Sequence, residues 1–139
     1  MINHSLIYKT SYRLAKKPTT VLFETEGVKN SYKIIGERKN NLKRVEMAIV
    51  KMTGVKFNGD SRKMDHVNAR RVYCFLCEKL CMSSLTDIGK SINKSHSLVL
   101  FQDSKCAELI QIEDKKTIQT LIDVCHFLSI EFRITPKTK

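Results

Sequence analysis

Ser84-Leu85-Thr86-Asp87-Ile88-Gly89-Lys90-Ser91-Ile92-Asn93-Lys94-Ser95-His96-Ser97-Leu98-Val99 is the stretch that decides the fold. Ser84 followed three residues later by Asp87 is a capping-box-like helix start, and Leu85, Ile88 and Ile92 recur behind it at helical spacing. Asn93-Lys94 then marks a tight turn. A second helix opens at Ser95-His96-Ser97 and turns Val99, Cys106, Leu109 and Ile110 toward one side. The pattern is that of a helix-turn-helix with hydrogen-bonding side chains at the tip of its second helix. In such a unit the first helix crosses the DNA backbone and the leading residues of the second reach base edges in the major groove.

Working outward, Leu42, Val45, Ile49 and Met52 recur at spacings of three and four before Gly54, which predicts a helix with one apolar stripe and a glycine stop. After Asn58-Gly59-Asp60, a long helix from about Lys63 to Cys81 is apolar over most of its circumference, as a central helix should be. Arg62, Lys63, Arg70 and Arg71 gather four cations at its beginning. Such a cluster is ordinarily a solvated face, but beside a helix-turn-helix it is read as a surface for phosphates.

The flanks change character. Thr19 to Thr25 reads as a strand, Gly27 with Asn30-Ser31 as a turn, and Tyr32 to Ile35 as the return strand of a hairpin. Tyr8 to Lys17 is basic, and Gly36 to Asn41 is a polar linker. Ile118, Leu121, Ile122, Cys125 and Leu128 mark an amphipathic helix started near Asp114. Ile130, Phe132 and Ile134 then alternate with Glu131 and Arg133, giving a short strand closed by Pro136. Because an isolated hairpin is marginal in water, this strand is expected to join it in a small sheet. The expected fold is mainly α, a helical bundle of the α+β kind with a helix-turn-helix, an N-terminal hairpin and a C-terminal strand. Its expected parts are an extension over 1–40, a DNA-binding unit over 41–112 and a helix, strand and basic tail over 113–139.

Charge and composition set independent bounds. The 139 residues suit one domain of ordinary size, and 42% hydrophobic content supplies a core. Twenty-five Lys and Arg against 14 Asp and Glu give a net charge of +11, the footprint of a partner for polyanions. RNA, DNA and anionic membranes all satisfy it. No apolar run approaches the roughly 20 residues needed to span a bilayer, and Asn3, His4 and Lys9 interrupt any secretory core. A cytoplasmic, nucleoid-associated protein is expected, with no membrane partner.

Five cysteines form an odd set, and Cys74, Cys77 and Cys81 stack on one face of the long helix. A structural zinc site needs four convergent ligands, and no second pair appears. A redox Cys-x-x-Cys sits at an exposed helix N-terminus, whereas this one interrupts Tyr73, Phe75, Leu76 and Leu80. Burial as small apolar residues is the expectation. His126 beside Cys125 points to another side of its helix, so no catalytic residue, metal or cofactor is assigned. His66 lies near the cationic cluster and is placed close to DNA, whereas His4 and His126 offer no case.

From about Leu42 to Ile110 the chain resembles the C-terminal DNA-binding domain of the bacterial replication initiator DnaA. Three blocks carry the resemblance: Ser61-Arg62-Lys63 with Ala69-Arg70-Arg71, then Ser84-Leu85-Thr86-Asp87-Ile88-Gly89, then Lys94-Ser95-His96-Ser97-Leu98-Val99-Leu100. It covers about half the chain. In the family the last block is usually Arg-Asp-His-Thr-Thr-Val, so the basic residue, the histidine, a hydroxyl and the valine are kept as Lys94, His96, Ser97 and Val99. The departures are Ser95 and Leu98. The resemblance implies that Arg62 enters the minor groove, that Arg70 holds phosphate, and that Ser84-Leu85-Thr86 meets the backbone. Lys94, Ser95, His96, Ser97 and Leu98 are assigned with Arg62 to base readout. Lys63, Arg71 and Lys90 join Arg70, Ser84, Leu85 and Thr86 as backbone contacts.

The family's initiators also carry a nucleotide-binding ATPase domain, and no Gly-rich Lys-Ser/Thr phosphate loop occurs here. A stand-alone bacterial or phage relative is implied. It would bind duplex DNA in replication initiation, its regulation or transcription, with a protein partner in one of those processes. Two readings of other classes stand beside it: a basic RNA-binding or ribosome-associated protein, and a Cys-dependent enzyme or metal protein. Sheets that read RNA display exposed aromatics for stacking, and Phe23 and Tyr32 are the hairpin's candidates.

Overall fold

The computed structural model describes residues 20–27, 29–37 and 40–136. The basic stretch Tyr8 to Lys17 and the end of the C-terminal tail lie outside them. Among the described residues the order is β1 (Val21–Glu26), β2 (Asn30–Ile35), α1 (Leu42–Thr53), α2 (Met64–Leu80), α3 (Leu85–Ser91), α4 (His96–Gln111), α5 (Lys115–Phe127) and β3 (Glu131–Pro136).

Local chemistry sets most of these limits. Asn41 opens α1 by accepting the Arg44 N–H at 2.9 Å, and Gly54 ends it at φ 73° with its N–H on the Val50 carbonyl. Asp114 caps α5, accepting the Thr117 N–H at 3.1 Å and its hydroxyl at 2.6 Å. In α1 the buried residues are Val45, Ala48 and Ile49, whereas Met52, assigned from its spacing to the apolar stripe, is exposed. The stripe ends one turn early because the last turn of α1 leads out to Gly54.

Helix α2 is the axis of the molecule. From Asn68 to Cys77 every residue except Arg71 is buried, and α1, α3, α4, α5 and the sheet all pack against it or its neighbours. A single hydrophobic cluster runs from Leu22, Tyr32 and Ile34 through α2 to Leu121, Val124, Phe132 and Ile134. The sheet is antiparallel with β2 in the centre, so the C-terminal strand does join the hairpin. Tyr32 lies opposite Thr25 and Ile134, and Ile34 opposite Phe23 and Phe132.

Two long-range fastenings tie this sheet to the helices. Asn30 donates to the Ile110 carbonyl at 2.8 Å, while the Gln111 side chain accepts from the Lys29 and Asn30 N–H groups and donates to the Asn30 carbonyl. The far end of α4 is thereby fixed to the start of β2. The second fastening is the buried ammonium of Lys79, 2.5 Å from Asp103 of α4 and 4.3 Å from the ring centroid of Phe75, with Phe23 at 5.0 Å. With Glu78 at 2.9 Å as well, a cation deprived of water is compensated here by two carboxylates and two aromatic faces.

Candidate nucleic-acid interface

The unit α3, turn, α4 is built from backbone geometry that few side chains allow. Ser84 caps α3 by accepting the Asp87 N–H at 3.1 Å. At the other end the Ile92 and Lys94 N–H groups both donate to the Gly89 carbonyl, and Asn93 takes a left-handed φ of 61°. The turn folds back so tightly that a Cβ on Gly89 would lie 2.5 Å from the Lys94 carbonyl oxygen. Tyr73 of α2 braces the same turn, its hydroxyl 2.6 Å from that of Ser91.

Beyond the turn, Ser95 caps α4, its hydroxyl oxygen accepting the Leu98 N–H at 3.2 Å. His96 and Ser97 follow, both exposed at the leading end of the helix. Val99, Gln102, Cys106 and Ile110 face inward. Leu98 is half-buried, and Leu109, grouped with the inward residues by its spacing, is half-buried too. Ser95, assigned to base readout, thus spends one acceptor lone pair on its own helix and keeps a hydroxyl proton to donate.

The cations divide in a way that their charge did not announce. Arg62 and Lys63 are exposed on the loop before α2, and Lys90 is exposed on α3. Arg70 is not a solvent-facing phosphate ligand, and this corrects the reading of four gathered surface cations. It is 6% exposed, and its guanidinium donates to the Phe57 carbonyl at 3.1 Å, to Gly59 at 3.2 Å, and to Ser61. The fork holds the loop 57–61 in shape from beneath. Arg71 is half-buried, its Nε donating to Gln102 of α4 at 3.2 Å. Its side chain joins the central helix α2 to α4.

Lys94 closes the arrangement. Its ammonium lies 2.6 Å from the carboxylate of Asp60, one residue before the Ser61-Arg62-Lys63 run. The ammonium holds the Asp60 carboxyl below the ordinary carboxylate value. The ion pair joins the segment just before Ser61-Arg62-Lys63 to the turn just before His96 and Ser97. Nothing local in sequence announces a pair 34 residues apart, and Asp60 was read only as part of a turn.

Other assigned residues serve the frame. Leu85 packs its side chain against the core, while Thr86 is exposed. His66 is half-buried and His126 exposed. All five cysteines are buried thiols. Burial pushes the Cys74 thiol up to about 12 and raises Cys77, Cys106 and Cys125 as well. Thiols so raised are uncharged at neutral pH and poor nucleophiles. Cys81 is the exception, held below the ordinary thiol value by its hydrogen bond with Cys77. Among the described residues no group of three or more His, Cys, Asp or Glu is placed to hold a metal ion. None of their helices is long and apolar enough to cross a membrane. Tyr32 is buried against Phe75 and Phe132, with centroids 5.9 and 5.6 Å away, so its ring is closed to base stacking.

Two helices joined at a left-handed residue, with a polar tip exposed and cations beside it, define a helix-turn-helix protein. Residues 42–105 match the family model for the bacterial DnaA protein helix-turn-helix, and that segment is similar to a domain of this type. The chain is 28% identical over 120 residues to the chromosomal replication initiator protein DnaA 2 of Chlamydia pneumoniae, covering 84% of this chain and 26% of the relative. It is 35% identical over 66 residues to the chromosomal replication initiator protein DnaA of Borrelia duttonii and to that of Borrelia recurrentis, covering 47% of this chain and 14% of each relative. The chain therefore spans about a quarter of the length of the Chlamydia relative and about one seventh of the Borrelia ones.

Proposed function

We propose that this chain binds duplex DNA sequence-specifically through α3, the turn and α4, and acts in replication initiation, its regulation or transcription. One observation carries the reading: His96 and Ser97 stand exposed at the tip of α4, just after Lys94, whose ammonium meets Asp60 two residues before the exposed Arg62. With the tip in the major groove, His96, Ser97 and the free hydroxyl proton of Ser95 meet base edges, together with Leu98 and Lys94. Arg62 extends toward the adjacent minor groove. Lys63 and Lys90 meet phosphates, as do the exposed Thr86 and the main chain at Ser84 and Leu85, where the start of α3 offers N–H donors. Arg70 and Arg71 shape this surface without forming its outermost layer. The relatives named as replication initiators support the same reading.

Selecting bound sites from a random duplex pool tests it directly. An enriched motif is the expected result, and log affinity should fall with log salt by about 0.9 per phosphate neutralised. His96→Ala should weaken the selected site by tenfold or more while barely changing random duplex, because a base reader contributes only where its base is present. Equal losses on both duplexes would make His96 a backbone contact, and a pool with no enrichment would overturn sequence-specific reading.

A second expectation concerns Asp60. Its carboxylate occupies the Lys94 ammonium and adds a negative charge to a surface meant for phosphates. Asp60→Asn should raise duplex affinity about three- to tenfold at low salt and steepen the salt slope by roughly one, as release of a rim cation does. Titrations of both proteins at several salt concentrations would show it. Weaker binding by the variant would mean that Asp60 positions Lys94 more than it competes with DNA.

A further inference from the structure

The exposed face of α4 carries more than its polar tip. At 100° per residue, His96, Ser97, Leu100, Phe101 and Ser104 share one side of the helix, and all five are exposed. Leu100 is 52% and Phe101 58% exposed, two large apolar side chains next to each other in sequence and next to His96 and Ser97 around the helix. Single exposed hydrophobics need no explanation, whereas a pair on the face assigned to bases does.

The charges around this face narrow its occupant. Asp103, the carboxylate within the first half of α4, is turned inward onto Lys79, with its side chain 16% exposed. Glu108, a turn farther on, lies 3.6 Å from Lys105. The first half of the face thus presents hydroxyls, an imidazole and two apolar groups with no outward carboxylate. Lys94 immediately precedes the helix, Lys90 is exposed on α3, Asp60 ties the segment before Arg62 and Lys63 to Lys94, and the whole chain is at +11. A neutral strip bordered by cations complements the floor and walls of a DNA groove: phosphates at the rims, and uncharged base edges between them. On those edges the group that rewards an apolar side chain is the C5-methyl of thymine.

We propose that Leu100 and Phe101 form a methyl-reading patch that gives this protein a preference for thymine beyond the bases met by the tip of α4. The proposal rests on the DNA-binding reading above and adds a ligand chemistry to it. With a rise of 1.5 Å per residue, Phe101 sits roughly 7 Å along the helix from His96, about two base steps at 3.4 Å each. The preferred thymine therefore lies farther along the groove than the base that His96 meets. The side chains exclude water from the methyl and gain nothing from a base that lacks it.

The experiment replaces each thymine of the selected site in turn with deoxyuridine, which removes the C5-methyl and leaves every hydrogen-bonding group unchanged. Dissociation constants are measured at fixed salt for the unaltered chain, Leu100→Ala and Phe101→Ala. The unaltered chain should lose about three- to tenfold at one or two thymines. Phe101→Ala should bind the thymine site more weakly and show no further loss with uracil there, and Leu100→Ala the same at its own position. Both side chains are exposed, so melting temperatures should stay within a few degrees of the original.

Equal affinity for every uracil-substituted duplex would overturn the proposal, as would an identical methyl dependence in all three proteins. A selected site with no thymine in this span would overturn it too. In each of these cases a retained preference for selected over random duplex leaves the broader DNA-reading intact, whereas loss of that preference removes both. A concentration-dependent dimer in sedimentation, abolished by Phe101→Ala in a chain indifferent to the methyl, would assign the patch to a second copy instead.

Discussion

Arg70→Ala will loosen the loop 57–61 and cost about 3 kcal/mol of unfolding free energy, near 10 °C in melting temperature for a chain of this size. The guanidinium is the common donor to the Phe57, Gly59 and Ser61 carbonyls, and alanine leaves the first of these buried without it. An acceptor stranded in the interior loses its solvation and gains nothing in return. Because this loop carries Asp60 to Lys94 and leads into Arg62, which is proposed to enter the minor groove, duplex affinity should fall with stability, by more than one phosphate contact supplies. Arg70→Lys is the informative companion. It keeps the charge but lacks the fork that reaches three carbonyls, so it should recover only a minor part of either loss. Thermal denaturation and duplex titration of both variants check this. A plain phosphate ligand would behave otherwise, with unchanged stability, good rescue by lysine and a salt slope smaller by about one.

The second large effect falls on Gly89. Alanine there places a Cβ 2.5 Å from the Lys94 carbonyl oxygen and 3.2 Å from the carbonyl carbon and oxygen of Ser95, all backbone atoms that cannot rotate away. The turn must open to admit it. The expected cost is about 2–3 kcal/mol, at the upper end for overpacking, with the helix content of the fold largely kept. Binding should suffer more than stability, since α4 would leave α3 at a different angle and displace His96 and Ser97 from their common register with the basic loop. A fall of tenfold or more at the selected site, with a smaller fall on random duplex, is the expected signature. Asn93→Gly provides the control at the neighbouring position. Its φ of 61° suits glycine, so the turn should form as before and both measurements should stay close to those of the unaltered chain. Gly89→Ala with unchanged melting and unchanged site preference would show that the close approach is not needed.

These two residues mark where sequence was sufficient and where it was not. The helix-turn-helix was legible because its signals are local: a serine cap, apolar residues three and four apart, an asparagine suited to a left-handed turn, and a second run of periodic residues. The same holds for the Asn41, Gly54 and Asp114 limits and for the alternation that puts β3 beside the hairpin. The same pattern placed His96 and Ser97 at the tip, and the resemblance added their expected contacts with bases. Arg70 was misjudged because α2 is buried around most of its circumference, polar positions such as Asn68 included. Periodicity there cannot separate an inward arginine from an outward one, and charge by itself favours water.

Sequence by itself determined the order of elements, the helix-turn-helix and the polar tip of the second helix, since each is specified by hydrogen bonds and side-chain periods spanning a few residues. Tertiary structure alone decided which cations face solvent and how the surface is held. Lys79 is buried because Asp103 and two aromatic rings meet it, Arg70 because three loop carbonyls converge on it, and Lys94 is bound because the fold delivers Asp60 across 34 residues. Asn30 and Gln111 likewise join β2 to α4 across 81 residues. A charge leaves water only when distant partners replace the hydration it gives up, and those partners exist only once the chain has folded.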